Sequence, residues 1–288
     1  MAVDVGRIGL WISGRVLPTD SAALGEAAAA LEELGYQAIW LGMSPEGTLE
    51  QPEAMLAGSA RIAIATGIVS VWGHPPEVVA PAYHRVAGAH PGRFLLGLGA
   101  SHSVLVEPTG QSYAHPYGKL VEFLDGLDAA VPPVPPGGRV LAALGPRVLK
   151  LSAARTAGAH PYLVTPEHTR RAREILGDGP LLAPEQKVVL STDPARAREI
   201  ARGTLEMYLQ LPNYTSNLQR LGFTGEDISG GGSDRLVDAL VAWGDEETIA
   251  RRVAEHHAAG ADHVCVQVLT GEWARPWEEW RALAPALT

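Results

Sequence analysis

Two periodicities alternate along the chain. Short apolar runs, the pattern of strands buried on both faces, are separated by stretches with apolar residues at helical spacing. The runs predict strands at Ile8–Ile12, Ala38–Leu41, Ile62–Val71, Arg93–Gly99, Val140–Leu144, His160–Val164, Lys187–Leu190 and His263–Leu269. Between the first two, Leu24, Ala28, Leu31 and Leu34 share one helix face, and Gly35 closes that helix. A helix is predicted around Pro52–Arg61, and His74-Pro75-Pro76 opens the next, with Val79, Tyr83 and Val86 on one side. Gly145-Pro146 starts a helix to about Thr156. Thr165-Pro166 caps another that ends at Gly177. Asp193-Pro194 starts a further helix, and Asp245 caps one that ends at Gly260.

Strands alternating with helices predict an α/β fold with a parallel sheet, and a count of eight favours a closed (β/α)8 TIM barrel. The chain is read as one such domain over 1–288. The long gap between strands seven and eight, Ser191 to Asp262, is read as a helical insertion, with helices around Thr204–Leu211 and Asp234–Trp243 and a Ser229–Ser233 glycine loop. A small second domain is the alternative reading. Pro132–Gly138 is a linker, and no internal repeat is evident.

Composition narrows the function classes. With 288 residues and 46% hydrophobic residues the chain has ample core for one large barrel. A net charge of −9 without any Lys/Arg run argues against nucleic acid or an anionic membrane as partner. There is no apolar stretch of about 18 residues to span a bilayer. The N-terminus lacks a basic stretch followed by an apolar one, so no secretory signal is expected. The single cysteine, Cys265, fits a reducing cytoplasm and reads as packed in the barrel wall.

No metal site is expected, because His256-His257 are adjacent and His102 and His115 lie far apart. Neither a Gly-x-Ser-x-Gly elbow nor a Gly-x-x-x-x-Gly-Lys loop occurs. Two strand ends carry more information. Gly97-Leu98-Gly99-Ala100-Ser101-His102 follows strand four, and Ala142-Ala143-Leu144-Gly145-Pro146 runs from strand five into a helix. In a barrel both lie on the C-terminal face, where small residues and a helix N-terminus suit an anionic ligand. Tight strand-to-helix packing is the alternative for each. Thr66–Pro75 carries strand three to the same face and ends on Trp72, Gly73 and His74.

These segments resemble the bacterial luciferase-like monooxygenase superfamily, in its branch of F420-dependent oxidoreductases. The matching stretches are Leu34–Gly42, Ala65–Ile68, Gly92–Gly99, Leu141–Arg147, Gly158–His168 and Gly260–Val268, which span nearly the whole chain in order. The resemblance implies a (β/α)8 barrel, often a homodimer, with a flavin or deazaflavin across the C-terminal mouth. It implies that Ser70-Val71 holds a bulge, often with a cis peptide, behind the cofactor ring. It also implies that Gly42-Met43-Ser44, Gly99, Ala100, Ser101, His102, Ala143, Leu144 and Gly145 line the cofactor, Gly99–Ser101 and Gly145 at its phosphate. Two positions depart from some deazaflavin-dependent relatives: His102 stands where they carry an acidic residue, and Met43-Ser44 where they carry an Asp-His-type pair.

His102 and His74 are the candidate catalytic groups, since histidine exchanges protons near neutral pH. His102 has an equal alternative as a hydrogen-bond donor to the cofactor. His160 reads as structural. Tyr208, Asn213 and Tyr214 either line the substrate side or pack at the surface. Trp273, Trp277 and Trp280 read as a terminal helix stripe that closes the barrel or meets a second subunit. The expected function is hydride transfer between coenzyme F420 and a small organic substrate. An FMN-dependent monooxygenase and a cofactor-binding protein without turnover are the rivals. F420 carries a longer anionic tail than FMN, expected to leave past Arg147.

Overall fold

The computed structural model describes residues 3–42, 46–272 and 274–288. Met43-Ser44 and Trp273, singled out above, lie outside the described residues. The strands are β1 Ile8–Ser13, β2 Ala38–Gly42, β3 Ala63–Thr66, β4 Val69–Ser70, β5 Phe94–Gly99, β6 Arg139–Leu141, β7 Gly158–Ala159, β8 Leu181–Leu182, β9 Glu185–Leu190, β10 Val241–Gly244 and β11 Val264–Val268. The helices are α1 Ser21–Glu33, α2 Glu50–Gly58, α3 Pro76–Ala89, α4 Ser103–Val106, α5 Pro116–Ala129, α6 Pro146–Arg155, α7 Pro166–Leu176, α8 Pro194–Tyr208, α9 Pro212–Arg220, α10 Gly225–Ile228, α11 Asp234–Leu240, α12 Glu246–Ala258 and α13 Trp277–Leu287.

Every strand pairing is parallel, in the order β10-β9-β11-β1-β2-β3-β5-β6-β7-β8. The ring closes between β8 and β9, with β10 outside it, because β8 runs into β9 through Ala183-Pro184. Leu181, Ala183 and Glu185 donate their N–H groups in turn to Ala157, Ala159 and Pro161. The result is the eight-membered TIM-barrel ring β1, β2, β3, β5, β6, β7, β8–β9 and β11. Helix starts read from the sequence are the ones used: Thr165, Asp193 and Asp245 each accept a first-turn N–H, as does Asp20 before α1. Gly35 takes a φ of +93° just after α1.

The strands differ from expectation at five places; strand five runs Arg139–Leu141 and ends before Ala142–Leu144. The run Ile62–Val71 breaks at Gly67-Ile68 into β3 and β4, so the bulge, with a cis Gly67–Ile68 peptide, lies just before Ser70-Val71. His160–Val164 is not a strand; the ladder contact is made at Gly158–Ala159, and Pro161 has no N–H to donate. Strand seven starts earlier than Lys187, at Glu185. The helix read over Asp234–Trp243 stops at Leu240, and Val241–Gly244 pairs with Lys187–Leu190 as a ninth, outlying strand. The gap Ser191–Asp262 is therefore not purely helical: it holds α8 to α11, then β10 and α12. The helix expected at Thr204–Leu211 is the end of α8, and Pro212 starts α9 rather than merely breaking a helix.

Candidate functional site

The ends of β4, β5 and β6 stand side by side at one mouth of the barrel. Ser70 pairs with Gly99, Val71 N–H donates to Gly99 O, and Ala142 N–H donates to Leu98 O. Trp72 Nε1 donates to Ala100 O at 2.8 Å, and Tyr113 donates its hydroxyl to Ser101 O at 2.9 Å. Ser101 has a φ of +57° and turns the chain into His102, the N-cap position of α4. The His102 ring lies 5.5 Å from that of Tyr214 and bonds the Asn213 side chain. Burial lowers its pKa, against an opposing pull from Asn213, so it is neutral at pH 7.

Other expected lining residues have packing reasons on view. A Cβ at Gly42 would overlap the Trp11 indole, and one at Gly97 would overlap the Thr66 carbonyl oxygen. Gly99 packs on Ile68, and Val71 and Ala143 are buried. The Ser70 hydroxyl accepts from Trp72 N–H within its own turn. His74 packs on Gly47, where an added Cβ would lie 2.7 Å from its own Cβ.

Leu144 and Gly145 form the turn into α6, and here polar groups converge. Gly145 is the N-cap of α6 without a side chain to cap it. A Cβ there would meet only Arg220 Nη2, at 3.8 Å. Arg220 Nη2 donates to Asn217 Oδ1 at 3.4 Å, while the buried Asn217 Nδ2 has no partner. His168 Nε2 donates to Leu144 O at 2.9 Å, which leaves its buried Nδ1 unpartnered. Arg171 donates to Arg220 O, and Arg147 stacks on Tyr117 at 3.7 Å. An uncapped helix N-terminus and a guanidinium are donors of the kind that suit a phosphate.

The barrel interior holds charged groups that the sequence reading missed. Lys187 Nζ lies 3.0 Å from Glu185 Oε1, both fully buried. It also donates to Gln267 Oε1 at 3.2 Å and sits 3.6 Å over the Tyr162 ring. Glu185 Oε2 accepts from Leu163 N–H at 3.0 Å. Desolvation lowers the Lys187 pKa, and Glu185 opposes that shift. The signal was available: residues two apart on a strand face the same side, so Glu185 and Lys187 point inward together.

Around them stands a wall of rings. Trp11, Tyr162, Tyr208, Tyr214 and His102 follow one another at centroid spacings of 5.1, 5.4, 5.4 and 5.5 Å. Burial pushes the Tyr208 hydroxyl up to about 12 and that of Tyr162 well above its ordinary value. Tyr208 and Tyr214 thus belong to the mouth, not to a surface patch. Behind the wall, His160 Nδ1 donates to Ala183 O at 2.8 Å, which leaves Nε2 as a bare acceptor. Trp11 Nε1 is an unpartnered donor, and both nitrogens face Gly67, where a Cβ would lie 2.9 Å from one and 3.3 Å from the other.

Beyond the wall lies a cavity of about 530 Å³, between the ends of β1 and β11 and helix α8. Trp11, Ile200, Met207, Leu269 and Trp280 make it apolar, and Tyr208 and Gln267 face it from the barrel. None of the residues singled out from the strand-four and strand-five ends lines it. The mouth therefore has two halves, a polar one at Leu144–Gly145 and an apolar one over β1 and β11.

The family model for luciferase-like monooxygenases matches residues 7–263. A 4-hydroxyprotoasukamycin monooxygenase from Streptomyces nodosus subsp. asukaensis is 37% identical over 82 residues, which are 26% of this chain and 22% of that protein. The matched part thus spans about a fifth of that relative. The fold matches a coenzyme F420-dependent tetrahydromethanopterin reductase from Methanopyrus kandleri, with TM-score 0.75, 14% identity and 96% of each chain covered. It also matches an F420-dependent secondary alcohol dehydrogenase in complex with an F420-acetone adduct, with TM-score 0.73, 17% identity and 98% and 99% covered. A third match is the oxygenating constituent of 3,6-diketocamphane monooxygenase from a Pseudomonas putida plasmid, in complex with FMN, with TM-score 0.68, 13% identity and 99% and 96% covered.

Proposed function

We propose that this chain, which belongs to the luciferase-like monooxygenase family, is an oxidoreductase that binds coenzyme F420 at the C-terminal mouth and moves a hydride between it and an organic substrate. One observation carries the reading. At the uncapped N-terminus of α6, Gly145 leaves open space that the Arg220 guanidinium borders, with Asn217 Oδ1 accepting from that guanidinium. These residues fit the phosphate of a flavin-like cofactor. Arg147, at the start of α6, adds a further positive charge beside Gly145, which suits an anionic tail longer than a single phosphate.

When bound, the cofactor supplies the redox chemistry, accepting or delivering a hydride. The chain's residues supply the rest. Arg220 and the Arg147 backbone N–H hold the anion, and Asn217 Oδ1 holds the Arg220 guanidinium in place. Ala100, Ser101 and Leu144 present backbone at the adjoining strand ends. The neutral His102 imidazole donates or accepts a hydrogen bond there. The ring wall from Trp11 to His102 excludes water from the barrel interior.

A second reading, an FMN-dependent monooxygenase, is favoured by the local match to a monooxygenase and by a phosphate site that either cofactor can use. Equilibrium titration with F420 and FMN in parallel separates the two. The first reading expects F420 to bind more tightly, and Arg220→Ala to weaken it roughly tenfold or more, the scale of a charge-assisted contact. FMN binding at least as tightly in matched buffer, or no binding of either at about tens of micromolar, would overturn it.

A further inference from the structure

We propose that Gln267 is the residue that reads the ligand in the β1–β11 cavity, donating its side-chain N–H to the carbonyl oxygen of a neutral, largely apolar molecule, with Lys187 and Glu185 holding it in that orientation. The proposal deepens the oxidoreductase reading by naming a substrate class, and it rests on that reading for the reaction though not for the binding.

An amide side chain can be turned either way round, so the question is which end faces the cavity. Two neighbours settle it. Lys187 Nζ, paired with Glu185 Oε1 at 3.0 Å, is the donor in its contact with Gln267. The Gln267 atom 3.2 Å from it is therefore the oxygen. Tyr162 donates its hydroxyl hydrogen to the same oxygen at 2.9 Å. With both lone pairs engaged inward, the Nε2 hydrogens are left to the cavity that Gln267 lines, and Nε2 makes no hydrogen bond among the described residues.

Strand register builds this arrangement. Gln267 is the Cα partner of Lys187 across β11 and β9, and Cys265 is the partner of Glu185. The Tyr162 hydroxyl has spent its only hydrogen on Gln267, so Tyr208 is the donor in their 2.9 Å contact. Lysine, glutamine and the two tyrosines thus form one directed network that ends at the cavity wall.

The rest of the cavity says what the acceptor is attached to. Its body is aromatic and aliphatic, from Trp11, Ile200, Met207, Leu269 and Trp280. Its two carboxylates, Glu199 and Glu272, match its two arginines, Arg15 and Arg196, and Arg196 is paired with Glu199 at 3.0 Å. Balanced charge around an apolar body disfavours an ion and suits a neutral molecule. A volume of about 530 Å³ accommodates one the size of an aryl ketone with room to spare. The buried Lys187 charge polarises the Gln267 amide and makes its N–H a stronger donor.

The test uses acetophenone labelled with carbon-13 at the carbonyl, titrated into the full-length protein and followed by NMR. A hydrogen bond to the carbonyl oxygen moves its carbon resonance downfield. The expected result is saturable binding with a downfield shift in the wild type. Gln267→Leu and Gln267→Glu should abolish the shift and weaken binding about three- to tenfold, one hydrogen bond's worth. Gln267→Glu keeps a partner for Lys187, so a change of fold is not the cause of its loss. Lys187→Met/Glu185→Gln, which removes both buried charges, should bind with a smaller shift, and the Gln267 variants carry the test if that double variant does not fold. The same shift in both Gln267 variants, or no saturable binding in the wild type, would overturn the proposal. Titrating F420 into the same samples keeps the two readings apart: a protein that shifts acetophenone but binds no F420 sinks the oxidoreductase reading and leaves Gln267 in place.

Discussion

Histidines give the clearest residue-scale consequence. His160, His256 and His263 are buried, and burial is the main cause that lowers their pKa values to about 4, about 3 and about 3. In the unfolded chain each takes up a proton near 6.5. Between those limits the unfolded chain holds more protons, so stability is present above pH 6.5 and falls as the pH drops through this window. At pH 5 the loss is roughly 2 kcal/mol per histidine. Urea midpoints should therefore fall steeply between pH 7 and pH 5, before most carboxylates titrate. A profile flat over that range would contradict the neutral, buried assignment. The structural role expected for His160 fits its buried ring, bonded through Nδ1 to Ala183 O, although the strand read from His160 onward is absent. Lys187 and Glu185 were legible only through their period of two in a strand whose start was placed at Lys187. Starting that strand two residues late hid the pair.

At the scale of elements, glycines decide how close strands come. Thr66 Oγ1 donates to Gly97 O and accepts from Gly97 N–H, both at 2.8 Å, and the Thr66 carbonyl occupies the space of a Gly97 Cβ. Gly97→Ala should force β3 and β5 apart and destabilise the fold by about 1–3 kcal/mol or more, read by chemical denaturation. An unchanged midpoint would mean that the two strands are less tightly set than the geometry has them. The Gly97–Gly99 segment was read as an approach for an anion, with packing as the alternative; for Gly97 and Gly99 packing is what the structure displays. Helix caps were legible because their chemistry is local. Strand β10 was not, because four residues following a helix show no period of their own, and its pairing with β9 is a tertiary matter. Helix α9 was hidden for a related reason: Pro212 marks a boundary, and only the fold shows that the boundary is a beginning.

For the whole molecule, the ring of eight staves places the Gly145–Arg220 turn and the β1–β11 cavity on one mouth, separated by a row of rings. The ring was readable because each strand run is short, apolar and followed by helix signals. The division of the mouth was not, since it depends on α8 and α9 folding back over strand ends far away in sequence. A net charge of −9 works against an anionic cofactor at long range. Screening over roughly 8–10 Å leaves Arg220 and its neighbours in control. The central claim is that the two halves serve a deazaflavin and a carbonyl compound in one hydride transfer. Its direct measurement is anaerobic mixing of the protein with reduced F420 and acetophenone, followed by absorbance and product analysis. The account predicts oxidation of the deazaflavin without oxygen, with one ketone reduced to the alcohol for each F420 oxidised, hydride to carbon and a proton to oxygen. No oxidation under these conditions, together with oxygen uptake and turnover when reduced FMN is supplied instead, would contradict it.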